Sequence, residues 1–169
     1  MIHAYIGDGK GKTTAACGLA VRYAGSGKKV EMLQFLKDGS SCENKCFETL
    51  NIRVTPCQKT KGFFWTMTDD EKKSLEKESC CGLEYAKTLL EGDCDMVVLD
   101  EILGTVENGL IDIGTLRAIL QKYGKGKEIV LTGRKLPEEL TEMCDYISEI
   151  KKIKHPFDKG MGATKGIEF

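Results

Sequence analysis

The chain has 169 residues, 41% of them hydrophobic and 30% charged, with a formal net charge of −1. That length suits one domain spanning 1–169, with a core large enough to need no disulfide or metal staple. Nothing in the charge balance argues for a nucleic-acid or anionic-membrane partner, so neither is expected, and no apolar run approaches the ~20 residues of a membrane span.

The first residues, Met1 to Ile6, run straight into a glycine-rich stretch and leave no room for a signal peptide, so a cytoplasmic location is expected. The eight cysteines should then be reduced. Cys42 and Cys46 are spaced C-x3-C, and Cys80 and Cys81 are adjacent. Scattered free thiols are the plain reading, with a metal or redox role for Cys42 and Cys46 left open.

In chain order, residues 2–6 read as a short apolar strand. A helix from about Lys12 to Tyr23 follows, closed by Gly25-Ser26-Gly27. Val30 to Leu36 is a second strand, 37–48 a loop or irregular helix, and Ile52 to Val54 a brief third strand before Pro56. A loop over 56–67 carries Phe63-Phe64-Trp65. Thr68-Asp69-Asp70-Glu71 is a capping box that opens a helix running to about Leu90 and ending at Gly92. Met96 to Leu99 is a buried strand ending in Asp100-Glu101. After a turn at Asn108-Gly109 comes a helix from about Asp112 to Lys122, then a fifth strand over Glu128 to Thr132. Pro137 opens a helix to about Cys144, and Tyr146 to Ile150 is a sixth strand. Six strands interleaved with helices predict an α/β fold, a mainly parallel six-stranded sheet covered on both faces. The tail from Lys154 to Phe169 has no periodicity and is either disordered or folded over a site.

A strand, a glycine-rich turn with Gly-Lys-Thr, and a helix make a P-loop. Gly7, Asp8, Gly9, Lys10, Gly11, Lys12, Thr13 and Thr14 form it, and the fold expected is that of a P-loop NTPase of RecA-like type. Phosphate oxygens need several backbone N–H groups at once, and residues without side chains let the backbone come close. The helix N-terminus beyond adds partial positive charge. Lys12 supplies a point charge, and the Thr13 hydroxyl is placed for Mg²⁺. The usual spacing would put the first glycine at position 6, where Ile6 stands, so this loop is one residue short. Asp100 and Glu101 lie at the strand end where open α/β sheets bind ligands, and magnesium prefers one or two carboxylates with phosphate oxygens.

The order of G-D-G-K-G-K-T-T-A-A, Arg22, Q-F-L-K, G-F-F-W, V-V-L-D-E-I, G-L-I, V-L-T-G-R, P-E-E-L, K-H-P-F-D-K-G and K-G-I-E-F resembles the P-loop-type corrinoid adenosyltransferases, almost end to end. The resemblance implies transfer of the 5′-deoxyadenosyl group of ATP to a Co(I) corrinoid with release of triphosphate, in adenosylcobalamin synthesis or salvage. It implies ATP bound with its phosphate tail reversed, Mg²⁺ held by Thr13, Glu101 and Asp100, and Lys12 on the triphosphate. Phe63 and Trp65 match the family's aromatic pair beneath the corrin, which excludes a lower axial ligand; a loop anchor packed in the core is the alternative. Arg134 is the better arginine candidate for ATP contact, being on the binding rim, whereas Arg22 is equally a solvated helix residue. His155 either touches the corrin or orders the tail. A homodimer and a reductant such as a flavoprotein are the partners that fit. Longer family members carry an N-terminal extension that helps cover the partner subunit's site, whereas this sequence starts directly at the first strand, which leaves open how the site is closed. Segment 37–61 departs from the family's wording, so the corrinoid stays open among cobalamin, cobinamide and cobyrinate diamide. Two other functions remain: a RecA-like ATPase or small kinase, and a corrinoid carrier that binds both ligands and turns over neither.

Overall fold

The computed structural model describes residues 1–60, 62 and 64–168; Lys61, Phe63 and Phe169 lie outside the described residues. Twelve strands and α-helices run β1 (Ile2–Ile6), α1 (Lys12–Ala24), β2 (Val30–Gln34), α2 (Asn44–Thr49), β3 (Ile52–Pro56), α3 (Asp69–Glu91), β4 (Met96–Asp100), α4 (Ile102–Glu107), α5 (Ile113–Tyr123), β5 (Glu128–Thr132), α6 (Glu138–Thr141) and β6 (Tyr146–Glu149). The six strands form one sheet in the order β3-β2-β4-β5-β1-β6. Every pairing is parallel, which goes further than the mainly parallel sheet expected. Parallel neighbours need crossover connections, and the intervening segments supply them.

Alternation along each strand divides the core into two layers. On one face Leu33, Val97, Leu99, Ile129 and Leu131 pack with Leu83, Ala86, Leu90, Leu116 and Leu120 from α3 and α5. On the other, Met32, Met96, Val98 and Val130 meet Ala16, Cys17 and Ala20 of α1 and Phe47 of α2. All five residues of β4 are buried, as a strand covered on both faces must be. By contrast β6 is an edge strand with all four residues exposed.

The capping box forms as read: Thr68 Oγ accepts the Glu71 N–H at 3.3 Å, and the Glu71 carboxylate accepts the Thr68 N–H at 2.8 Å. Those bonds satisfy donors that a helix start leaves without partners and fix the beginning of a 23-residue helix.

Several boundaries differ from the sequence reading. β2 ends at Gln34 rather than Leu36, because Leu36 adopts a left-handed backbone (φ 54) and turns the chain away. Segment 37–48 contributes the start of a short helix, α2, around buried Phe47. The helix α4 was not foreseen; it starts straight off β4 with Glu101 left-handed (φ 60), so no capping signal announces it. The helix expected to run from Pro137 to Cys144 has four residues, with Pro137 as its cap rather than in its first turn. The tail is folded: a 3-10 turn covers Pro156–Lys159, and residues 165–168 form a further turn. Among the described residues, no helix is long and apolar enough to cross a membrane.

Candidate active site

The strand order sets the site. β5 lies between β1, which feeds the P-loop, and β4, which ends in the carboxylates, while β2 flanks β4 on the far side. The C-terminal ends of these four strands therefore converge on one rim, where parallel sheets hold their ligands.

At the end of β1, the glycines do something the sequence reading did not anticipate. The Gly7 N–H donates to the Arg134 carbonyl at 2.9 Å, and the Gly9 N–H donates to the Ile150 carbonyl at 2.8 Å. A Cβ on Gly7 would come within 2.3 Å of the Ile150 carbonyl oxygen, and one on Gly9 within 2.7 Å. Their smallness admits the chain leaving β6 against the loop, and their N–H groups are already committed. The Asp8 carboxylate likewise turns to that segment and accepts the Lys152 N–H at 3.1 Å. Gly11 is different: it has φ 117, and a Cβ there would meet nothing within 4 Å. It bends the chain so that α1 begins at Lys12, presenting the unpaired N–H groups of a helix start to the cavity.

That cavity holds about 1100 Å³ and is bounded by Lys10, Gly11, Lys12, Thr13, Thr14 and Glu101 on the loop and carboxylate side. Lys12 folds back and donates to the Gly9 carbonyl at 2.8 Å. Burial draws its ammonium below the ordinary value, Glu101 opposes that shift, and the charge of Arg134 adds to it. Arg134 itself is exposed. Its carbonyl holds the P-loop and its guanidinium is close enough to Lys12 and Glu101 to be felt by both.

The two carboxylates differ sharply. Asp100 is fully buried. Its Oδ1 accepts the Thr13 hydroxyl at 2.9 Å and the Thr132 hydroxyl at 2.7 Å, and its Oδ2 accepts the Lys37 ammonium at 2.6 Å. Lys37 also donates to Thr13 Oγ at 2.9 Å. Glu101 projects to the cavity from its left-handed position, and its N–H donates to Thr132 Oγ at 2.7 Å. Burial, and then the Asp100 charge beside it, push the Glu101 carboxyl above its usual range. A left-handed glutamate costs about 1–3 kcal/mol and persists only where its surroundings enforce it. Here Thr132 enforces it.

This donor set fits a hard divalent cation. A hydroxyl, Thr13, and a buried carboxylate, Asp100, already hold a positive group between them, with a second carboxylate, Glu101, on the cavity wall. Lys37 and Thr132 sit in the strand-end segments Q-F-L-K and V-L-T-G-R. Their part in this network depends on β2 and β5 flanking β4, which no local pattern reveals.

The aromatic segment begins at the cavity edge. Gln58 and Gly62 line the cavity, and the Gln58 amide donates to the Gly62 carbonyl at 3.2 Å. The Glu78 carboxylate on α3 accepts the N–H groups of Lys59 and Thr60 at 2.9 and 3.1 Å, tying the loop down. Phe63 lies outside the described residues, and Trp65 is 72% exposed, which rules out a core anchor for that ring. Ala163, Gly166, Ile167 and Glu168 of the tail also line the cavity, so the tail covers the site. His155 caps the 3-10 turn, its Nδ1 accepting the Phe157 N–H at 3.1 Å. Arg22 is exposed in the last turn of α1.

All eight cysteines are free thiols. Cys17, Cys42 and Cys46 border the cavity, and burial pushes the Cys17 thiol up to about 12, so it is inert as a nucleophile. Among the described residues no group of three or more His, Cys, Asp or Glu is arranged to hold a metal ion.

Comparison with known proteins gives a consistent result. A family model described as ATP:corrinoid adenosyltransferase BtuR/CobO/CobP matches residues 1–169. A corrinoid adenosyltransferase of Pseudomonas aeruginosa is 32% identical, over 96% of this chain and 80% of that protein. One from Escherichia coli (strain K12) is 31% identical, over 100% of this chain and 85% of its own length. A third, from Sinorhizobium sp, is 33% identical, over 96% of this chain and 77% of that protein. The solved flagellar accessory protein FlaH of Methanocaldococcus jannaschii superposes with a TM-score of 0.47 at 18% identity, over 84% of this chain and 65% of that one.

Proposed function

The chain belongs to the ATP:corrinoid adenosyltransferase family and carries out ATP-dependent adenosylation of a corrinoid, and from that premise we propose how its residues perform the transfer. ATP lies with its phosphate tail along the Lys10 to Thr14 end of the loop, reversed relative to an ordinary NTPase, so that C5′ faces the corrinoid. Cobalt(I) donates its electron pair to C5′. The C5′–O5′ bond breaks, and its electron pair leaves on O5′ of the triphosphate.

The observation that carries this reading is the convergence of Lys10, Lys12, Thr13, Glu101 and the start of α1 on one cavity of about 1100 Å³. That volume lies at the top of the ~300–1,000 Å³ range typical of small-molecule pockets. Lys12 and the α1 N-terminus meet charge that builds on the leaving group, where preorganised positive groups act most strongly. Drawn back to the Gly9 carbonyl, Lys12 donates to a neutral acceptor, and a phosphate oxygen would replace it with a charged one. Thr13, Asp100 and Glu101 are the residues that would hold Mg²⁺, and Arg134 would steady the phosphates from the rim. Bound magnesium would neutralise part of the charge on the departing triphosphate.

Phe63 and Trp65 would wall the lower face of the corrin, keeping a donor and water from cobalt. The exposure of Trp65 supports that role, because an aromatic surface turned to solvent gains from being covered by a flat apolar ligand. A second copy of the chain would cover the edge strand and tail, where Tyr146, Ile153, Phe157 and Met161 are all exposed. A cytoplasmic location and a flavoprotein-type reductant complete the reading.

An anaerobic assay with ATP, Mg²⁺ and chemically reduced corrinoid tests it. Inorganic triphosphate should form in step with a light-sensitive Co–C product. ADP and phosphate would indicate an ATPase, and binding of both ligands without turnover would indicate a carrier.

A further inference from the structure

Lys37 stands where the sequence reading placed a metal ion. Its ammonium is 2.6 Å from Asp100 Oδ2 and 2.9 Å from Thr13 Oγ, two of the three groups proposed above as magnesium ligands. Asp100 needs this partner: its side chain is wholly buried, and a buried carboxylate without a counter-charge is strongly unfavourable. The other oxygen, Oδ1, is occupied by two hydroxyls, so the counter-charge falls at Oδ2.

Lys37 is also built to leave. Its side chain keeps 26% exposure and borders the cavity, and its flexible four-carbon stem follows a left-handed Leu36 that swings it back over the strand end. A divalent ion and an ammonium cannot share the same carboxylate oxygen and hydroxyl at contact distance, because like charges repel most where solvent is excluded. Occupancy by one requires departure of the other.

We infer that Lys37 is a resident counterion of the cation site: it neutralises Asp100 in the nucleotide-free protein, yields its place to the divalent ion, and carries its charge to the polyphosphate. This rests on the magnesium site proposed above. The exchange makes cation and nucleotide entry interdependent, since the displaced ammonium needs the phosphates as its new partner. It also keeps the site from standing as an uncompensated anion between turnovers.

The test uses Mn²⁺ as the probe, followed by its electron paramagnetic resonance signal with the wild-type chain and with Lys37→Met, each alone and with ATP. If the lysine holds the site roughly nine-tenths of the time, removing it tightens Mn²⁺ binding to the nucleotide-free protein about tenfold. Lys37→Met should also bind ATP more weakly at saturating Mn²⁺, because the phosphates lose a cation. Equal or weaker Mn²⁺ affinity in Lys37→Met overturns the exchange while leaving the metal site intact. Absence of Mn²⁺ binding by either protein, even with ATP, overturns the metal site and the exchange with it. A readout on the wild-type chain guards against a variant that fails to fold: acetic anhydride labelling of Lys37, read by mass spectrometry. Labelling should rise several-fold when Mg²⁺ alone is added and fall again with ATP. Labelling that ignores Mg²⁺ refutes the exchange.

Discussion

Replacing Thr132 by valine keeps the shape of a fully buried side chain and removes only its hydroxyl. That hydroxyl donates to Asp100 Oδ1 at 2.7 Å and accepts the Glu101 N–H at 2.7 Å. Losing a hydrogen bond to a charged acceptor costs about 1.5–3 kcal/mol, and the orphaned N–H of Glu101 adds about 1–3 kcal/mol. Burying the extra methyl returns about 0.8 kcal/mol. The expected net loss is about 3 kcal/mol, a large fraction of the ~5–15 kcal/mol that holds a domain together. For a chain of this size it corresponds to a fall in Tm of roughly 6–12 °C. Thr132→Ser keeps both bonds and gives up one methyl, so it should lose only about 1 kcal/mol. Urea denaturation at unchanged m measures both. If valine lies within about 0.5 kcal/mol of wild type, or is better tolerated than serine, the hydroxyl does not hold the two carboxylates as described.

Other expectations follow from the same geometry. Gly7→Ala puts a Cβ against the Ile150 backbone, whereas Gly11→Ala meets nothing within 4 Å, although both have positive φ. Gly11→Ala should therefore lose about 1–2 kcal/mol from backbone strain alone, and Gly7→Ala clearly more; equal losses in thermal melts would contradict the close approach. The raised pKa of Glu101 means that its charged form costs the folded state stability. The contribution of this group is most favourable below the ordinary value of 4.5 and declines as pH rises through the folded value. Glu101→Gln should then melt a few degrees above wild type at pH 7, with the difference narrowing towards pH 4, while adenosylation is lost; a lower Tm at pH 7 would reverse the sign. Trp65→Ala should lose more activity starting from Co(II) than from preformed Co(I), because a cobalt kept from a lower axial ligand is the more easily reduced one. Equal loss from both would deny Trp65 its place under the corrin.

The strands, the P-loop and the capping-box helix were legible because each signal is local. An apolar run, a Gly-Lys-Thr turn or a Thr-x-x-Glu pattern carries its own physical reason. The rest depends on which strands become neighbours. Gly7 and Gly9 looked like phosphate donors, but their N–H groups are taken by the carbonyls of Arg134 and Ile150, which the β5 and β6 ends bring alongside. Lys37 reaches Asp100 because β2 pairs with β4, with Gln34 opposite Asp100. The helix α4 is six residues long and launches from a left-handed glutamate, a conformation that Thr132 imposes from another strand. The tail had no period to read, and its cover over the cavity is a tertiary fact. Family motifs pointed to the activity more directly than composition did, since several separated segments occur in order along the whole chain.

If this P-loop holds a leaving group, the bond broken lies at C5′ of the ribose. ATP carrying ¹⁸O in the bridging 5′ position, reacted anaerobically with reduced corrinoid, tests it through the isotope shift of the α-phosphorus in ³¹P NMR. The label should appear wholly in inorganic triphosphate, with the unlabelled 5′ carbon on cobalt. Label retained on an adenosine-containing product, with ADP and phosphate accumulating, would contradict it.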